Sequence, residues 1–149
     1  MKPKNLKLIA TSEEDLRVIS AHLQDAIVSP IEIANLKKNR ILLIQLNRFM
    51  WEDVEKGVFR KNKRIRTMLK FENVTSVLSK NVNQKNNKRF LDFLAIESFL
   101  MPGKSYEINL IFSGDAILKI KTEVLEVTLD DQGSPWESKA KPKHKFYNA

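Results

Sequence analysis

The sequence predicts a mostly β domain: an antiparallel sandwich or partly closed barrel of about seven or eight strands, with one N-terminal amphipathic helix. Three observations lead there. After Asp25, apolar residues recur at every second position along most of the chain, the period of a half-buried strand. Short turn-forming clusters separate these runs, which favours hairpins and hence antiparallel pairing. One stretch alone, opening at Ser12, carries a helical period, so a fold of repeated βαβ units is excluded. The 149 residues suit a single domain with its own core, with 1–5 and 137–149 as flexible or loosely packed ends.

Leu6, Leu8 and Ile9 suggest a short first strand. Ser12 then caps a helix over residues 13–22, whose first turn is acidic (Glu13, Glu14, Asp15) and whose apolar stripe is Leu16, Ile19 and Leu23. Residues 26–28 read as a short strand, with Pro30 marking its end or an edge position, and 31–34 as a second. After the turn Lys37, Lys38, Asn39 comes the densest apolar run, RILLIQLNRFMW (40–51), read as the central strand. Residues 52–63 read as a loop. Residues 64–82 alternate in two registers, which requires a bulge or tight turn at Glu72 and Asn73. A polar loop (81–89) leads to an apolar strand at 90–100. A hairpin then turns at Ser113, Gly114 and Asp115. Its return strand, 116–129, slips register once, and residues 130–135 end the sheet.

Composition removes whole classes of function. With no cysteine there is no disulfide framework, thiolate nucleophile or thiolate-bound zinc, a usage that fits a reducing cytoplasm. The start, MKPKNLKLIATSEEDL, has no apolar segment long enough for a signal peptide, and no later run could span a membrane. Four glycines cannot readily build a phosphate cradle, and the GxSxG, GxxxxGK and GxGxxG patterns are missing. His22 and His144 lie in unrelated contexts and form no HxxxH pair. His22 with Asp25 reads either as an acid–base pair or as a histidine satisfied at a helix C-terminus. No catalytic residue, cofactor or metal is predicted.

The formal charge of +8 is concentrated in two stretches. Residues 56–70 hold Lys56, Arg60, Lys61, Lys63, Arg64, Arg66 and Lys70 with no acid between them. Cations beside Phe59 and Trp51 are what a single-stranded nucleic-acid site uses, phosphate neutralisation with base stacking. Arg64 and Arg66 would face solvent together on one strand. The competing reading is a solvated segment that protects a strand edge. The tail carries Lys139, Lys141, Lys143 and Lys145, with Trp136 either pinning it to the domain or meeting a partner.

Three segments, SAHLQDA (20–26), LNRFMWE (46–52) and PWESKAKPKH (135–144), resemble a small bacterial family known as a domain of unknown function. The resemblance spans nearly the whole chain and implies no activity, catalytic residue or cofactor. It directs attention to His22, Asp25, Asn47, Arg48, Trp51, Trp136 and His144, which would form one polar-aromatic surface if the segments meet in space. The leading expectation is a non-catalytic cytoplasmic binding module with a protein partner. The alternative is an RNA-binding protein that uses residues 56–70, with Arg60, Lys61, Lys63, Arg64 and Arg66 as contacts, together with the tail.

Overall fold

The computed structural model describes residues 5–52, 63–83 and 89–137. Its elements in chain order are β1 (Lys7–Ala10), α1 (Glu13–Leu23), β2 (Ile27–Leu36), a 3-10 turn (Lys37–Asn39), β3 (Ile41–Phe49), β4 (Lys63–Phe71), β5 (Val74–Lys80), β6 (Leu91–Leu100), β7 (Tyr106–Phe112), β8 (Ala116–Thr122) and β9 (Val127–Glu137). All the strand pairings are antiparallel, and the nine strands form one sheet in the order β1-β9-β4-β3-β2-β6-β7-β8-β5.

That order forces the sheet to curl. β4 and β5 lie six strand spacings apart, roughly 29 Å if the sheet were flat. Only Glu72 and Asn73 join them, and three Cα steps reach about 11 Å. The chain turns there through the left-handed conformation of Asn73 (φ 58°), which a short polar side chain tolerates. A single apolar cluster therefore draws on both halves, with Leu42 and Ile44 from β3 beside Ile108 and Leu110 from β7. The sheet stays open, with β1 and β5 as its edges.

The helix begins as its sequence dictates. The Ser12 side chain accepts a hydrogen bond from the Asp15 N–H at 3.1 Å, and Leu16, Ile19 and Leu23 are buried. On its other flank, Ser20 Oγ accepts from the Ile96 N–H at 3.0 Å and ties α1 to β6.

Three expectations change. The two short strands expected at 26–28 and 31–34 are one strand, β2, and Pro30 sits inside it where pairing with β3 shifts register between Val28 and Ile33. A missing N–H is tolerated at such a shift. Residues 116–129 are two strands, because the chain turns at 123–126 from β8 into the other half of the sheet. Residues 130–135 do not end the sheet; they lie within β9, which runs on to Glu137. Among the described residues, no helix is long and apolar enough to cross a membrane.

Candidate functional site

The last turn of β3 positions two arginine clusters, one on each face of the sheet. Strand alternation sends Leu42, Ile44, Leu46 and Arg48 to the inner face, and all four are buried. In β9 the same alternation carries Val127, Leu129 and Asp131 inward. β4 lies between them, pairing Ile65 with Arg48 and Thr67 with Asp131. The Arg48 side chain thus crosses beneath β4 to reach Asp131.

Arg48 is 0% exposed, and its five donors are all used. Nε and Nη2 bind Asp131 Oδ1 and Oδ2 at 2.8 and 2.7 Å. Nη1 and Nη2 bind Glu52 Oε1 and Oε2 at 2.9 and 2.8 Å, and Nη1 also donates to the Phe49 carbonyl at 3.4 Å. Asp131 Oδ2 accepts in addition from the Leu6 N–H at 2.9 Å, which fastens the lead-in to β1. Burial by itself would weaken the charge of Arg48. The hydrogen bonds and charges of Asp131 and Glu52 outweigh it and hold the guanidinium above its ordinary pKa. Burial likewise works to raise Glu52, but its bonds to Arg48, the arginine charge and, to a smaller degree, His22 bring its pKa below the usual carboxylate value. A guanidinium with every donor spent has no open valence for a ligand. This cluster is a lock on the fold.

The outer face is built differently. α1 stops at Leu23, and Asp25 adopts a left-handed conformation (φ 63°) that turns the chain into β2. Carbonyls at a helix C-terminus have no intrahelical partner. Two donors from distant parts of the same chain take up those just past the end. The Trp51 indole Nε1–H binds the Gln24 carbonyl at 2.9 Å, and Arg64 Nη1 binds the Asp25 carbonyl at 3.3 Å and the Asn47 carbonyl at 3.1 Å. The Arg64 guanidinium lies 5.9 Å from the centroid of Phe49, which meets Trp51 edge-to-face at 4.6 Å. Phe49, Arg64 and Trp136 are register partners across β3, β4 and β9, and cross-strand partners share a face. Arg64 is 8% exposed, whereas Trp136 is 41% exposed. Burial draws the pKa of Arg64 down, opposed by the charges of Asp25 and Asp92.

Of the residues singled out in the sequence, Asn47, Trp51 and Trp136 therefore fall on one face, with Asp25 beside Arg64. The Asn47 side-chain oxygen is buried without a hydrogen-bond partner among the described residues. His22 lies in the last turn of α1, and its Nδ1 is buried and likewise unpartnered. With Arg17, Val18, Ala21, Trp51 and Glu52 it lines a shallow depression of about 360 Å³. Arg48 departs from the expected surface, because alternation points it to the opposite face. His144, Arg60 and Lys61 lie outside the described residues.

The expectation that Arg64 faces solvent is corrected: its side chain is covered and spent on two carbonyls and an aromatic ring. Arg66 pairs with Glu32 at 2.8 Å and binds the Gln45 side chain, and Lys70 lies 3.7 Å from Glu72. Lys63 is half-buried in register with Glu137. Sequence reasoning missed Phe49 as the ring that orders this face, and Asp131 as the main partner of Arg48. The signal for Asp131 was present: it continues the alternation of Val127 and Leu129. No group of three or more His, Asp or Glu that could hold a metal occurs among the described residues.

Comparison with protein families finds a match over residues 6–144 to a family described as a protein of unknown function, DUF2948. The chain belongs to that family. No characterised protein and no solved structure matches it.

Proposed function

We propose that this member of the DUF2948 family is a non-catalytic binding module of the cytoplasm whose partner is another protein. It engages that partner through the outer face around Trp136. The observation that carries the reading is Trp136 itself. It stands in a paired strand, in register with a covered arginine, and leaves 41% of its surface exposed. A large aromatic fixed on a rigid sheet loses little entropy on docking, and tryptophan and arginine dominate the energetic centres of protein interfaces. Arg64 adds to this. Its guanidinium binds two carbonyls, lies beside the Phe49 ring and feels the charges of Asp25 and Asp92, so it fixes the face on which Trp136 stands. A cysteine-free chain suits a reducing compartment.

A nucleic-acid role would need cations free to meet phosphates, and Arg64, Arg66 and Lys70 are each engaged within the chain. The test is a comparison in the native host. Tagged wild-type chain and the Trp136→Ala variant are cross-linked in cells, the retained proteins are identified, and the leading partner is purified and titrated. Binding at least about tenfold weaker for Trp136→Ala is the expected result. The same partners held with the same affinity by the variant would remove Trp136 from the interface. Titration with single-stranded RNA at near-physiological salt is the control: tight binding there that is lost on neutralising Arg60, Lys61 and Lys63 would replace the protein reading with a nucleic-acid one.

A further inference from the structure

We infer that the free edge of β5 accepts an added strand from an extended, acidic segment of a partner protein. This rests on the reading of the chain as a protein-binding module but concerns a different surface. The Val74 end of β5 lies at the start of β3, where the Val74 N–H donates to the Arg40 carbonyl at 2.9 Å. The Trp136 face lies at the other end of β3, roughly 27 Å away along the strand.

β5 pairs with β8 on one side and, among the described residues, with no strand on the other. An edge strand aims alternate N–H and C=O groups outward, a template for another strand. Native edges are usually blunted by shortness, inserted charges or proline. β1, the opposite edge, is blunted by its length of 4 residues. β5 has 7 residues, VTSVLSK, with no proline and no charge before Lys80. Its one pairing irregularity falls between Val74 and Ser76, so Ser76 to Lys80 remain regular. Leu78 is 61% exposed on this strand and offers an apolar anchor.

Charge selects the occupant. Beside the edge runs a groove of about 300 Å³ lined by Asn35, Lys37, Arg40 and residues 74–77; Arg40 is paired with Glu123 at 2.6 Å, so the charge that selects comes from the lysines. Lys37 and Lys38 are exposed at one end of β5 and Lys80 at the other. A second copy is the wrong occupant. Antiparallel pairing of β5 with itself would set Lys80 of each copy near Lys37 and Lys38 of the other, in a chain already at +8. An extended segment alternating apolar and acidic residues fits both the backbone template and the field, with main-chain bonds supplying affinity and charge supplying choice.

The test uses the full chain, isotopically labelled for amide NMR, and two synthetic peptides of about ten residues. One alternates valine and threonine with glutamate; the other has lysine for each glutamate. The expected result is that the acidic peptide shifts and protects the amides of β5 and the Lys37–Asn39 turn while the basic peptide does not. The charge-reversed variant Lys37→Glu with Lys80→Glu, both exposed positions, should bind the acidic peptide roughly tenfold more weakly and keep a native amide spectrum. Three outcomes overturn the inference: shifts from neither peptide, shifts centred on the Trp136 face, or β5 shifts that grow with protein concentration alone and identify a second copy as the occupant. The two surfaces fail separately. If Trp136→Ala abolishes partner binding while no peptide marks β5, the β5 assignment falls and the module reading stands. If the acidic peptide marks β5 while Trp136→Ala changes nothing, the Trp136 face falls and the β5 assignment stands.

Discussion

Arg48 and Arg64 are both buried, and they are one register step apart on neighbouring strands, yet they solve the problem of burial in opposite ways. Arg48 spends all five donors and meets two carboxylates, and its charge is reinforced. Arg64 meets two backbone carbonyls and the face of Phe49, and burial depresses its pKa. The difference follows from which way each side chain points. The inner face closes on itself, so an ion there must be matched within the fold. The outer face ends at a helix C-terminus, where orphan carbonyls are partial negative charges but not full ones. One arginine is therefore a lock, and the other holds two carbonyls beside an exposed tryptophan, with the charges of Asp25 and Asp92 opposing its burial.

Replacing each arginine by methionine separates the two most sharply. Arg48→Met leaves Asp131, whose side chain is 1% exposed, without its cation. Removing one partner of a buried ion pair costs about 3–5 kcal/mol, so this variant should lose that much in urea denaturation or fail to fold. Arg64→Met keeps apolar bulk against Phe49 but leaves two part-buried carbonyls without this donor and removes the cation that Asp25 and Asp92 face, so it should lose about 1–3 kcal/mol, less than Arg48→Met. If the two variants were equally destabilised, the contrast would be wrong. Pairing Arg48→Met with Asp131→Asn sharpens it: the double variant should be more stable than the sum of the single losses implies, because the second change removes the stranded charge.

A smaller effect separates the clusters by pH. Glu52 has a folded pKa below its ordinary 4.5. Between the two values the unfolded chain binds more protons, so stability rises with pH across that window. The contribution is present in full above about 4.5 and is lost as pH falls through the folded value. Urea midpoints measured from about pH 6 to about pH 3 should fall more steeply for wild type than for Glu52→Gln. Parallel curves would mean that Glu52 does not feel Arg48 as its geometry requires.

How much of this was legible in the sequence depends on the range over which each fact is decided. Ser12 and the stripe of Leu16, Ile19 and Leu23 announced α1 because capping and helical period are local. The turn at Asn73 was legible for the same reason: the alternation on either side could not otherwise be reconciled. Arg48 and Asp131 were each placed by alternation with their own strand. Their meeting was not legible, since it depends on β4 lying between β3 and β9, a pairing 83 residues apart that no spacing encodes. The break at 123–126 was missed because a chain that leaves one half of a curled sheet for the other looks, in sequence, like a register slip within one strand. The Trp136 face was only half visible. Its aromatic and polar members drew attention, but Phe49 was not singled out among them, and Arg64 looked like surface because alternation assigns a face without saying what covers it.

The smallest effect concerns the hinge between the helix end and the outer face. Trp51→Phe keeps an aromatic ring against Phe49 but removes the indole N–H that binds the Gln24 carbonyl. That carbonyl lies just past α1, in an exposed setting where water can replace the donor. The expected loss is about 0.5–1.5 kcal/mol, the net worth of one ordinary hydrogen bond, read from the shift in urea midpoint. The informative readout is local: amide exchange at Gln24, Asp25 and Ala26 should quicken while that of β7 stays unchanged. Uniform acceleration across both would mean that Trp51 supports the core as a whole. Faster exchange confined to the helix end would show that the outer face is anchored by the helix terminus while the inner lock holds the sheet, which is the division that the two arginines predict.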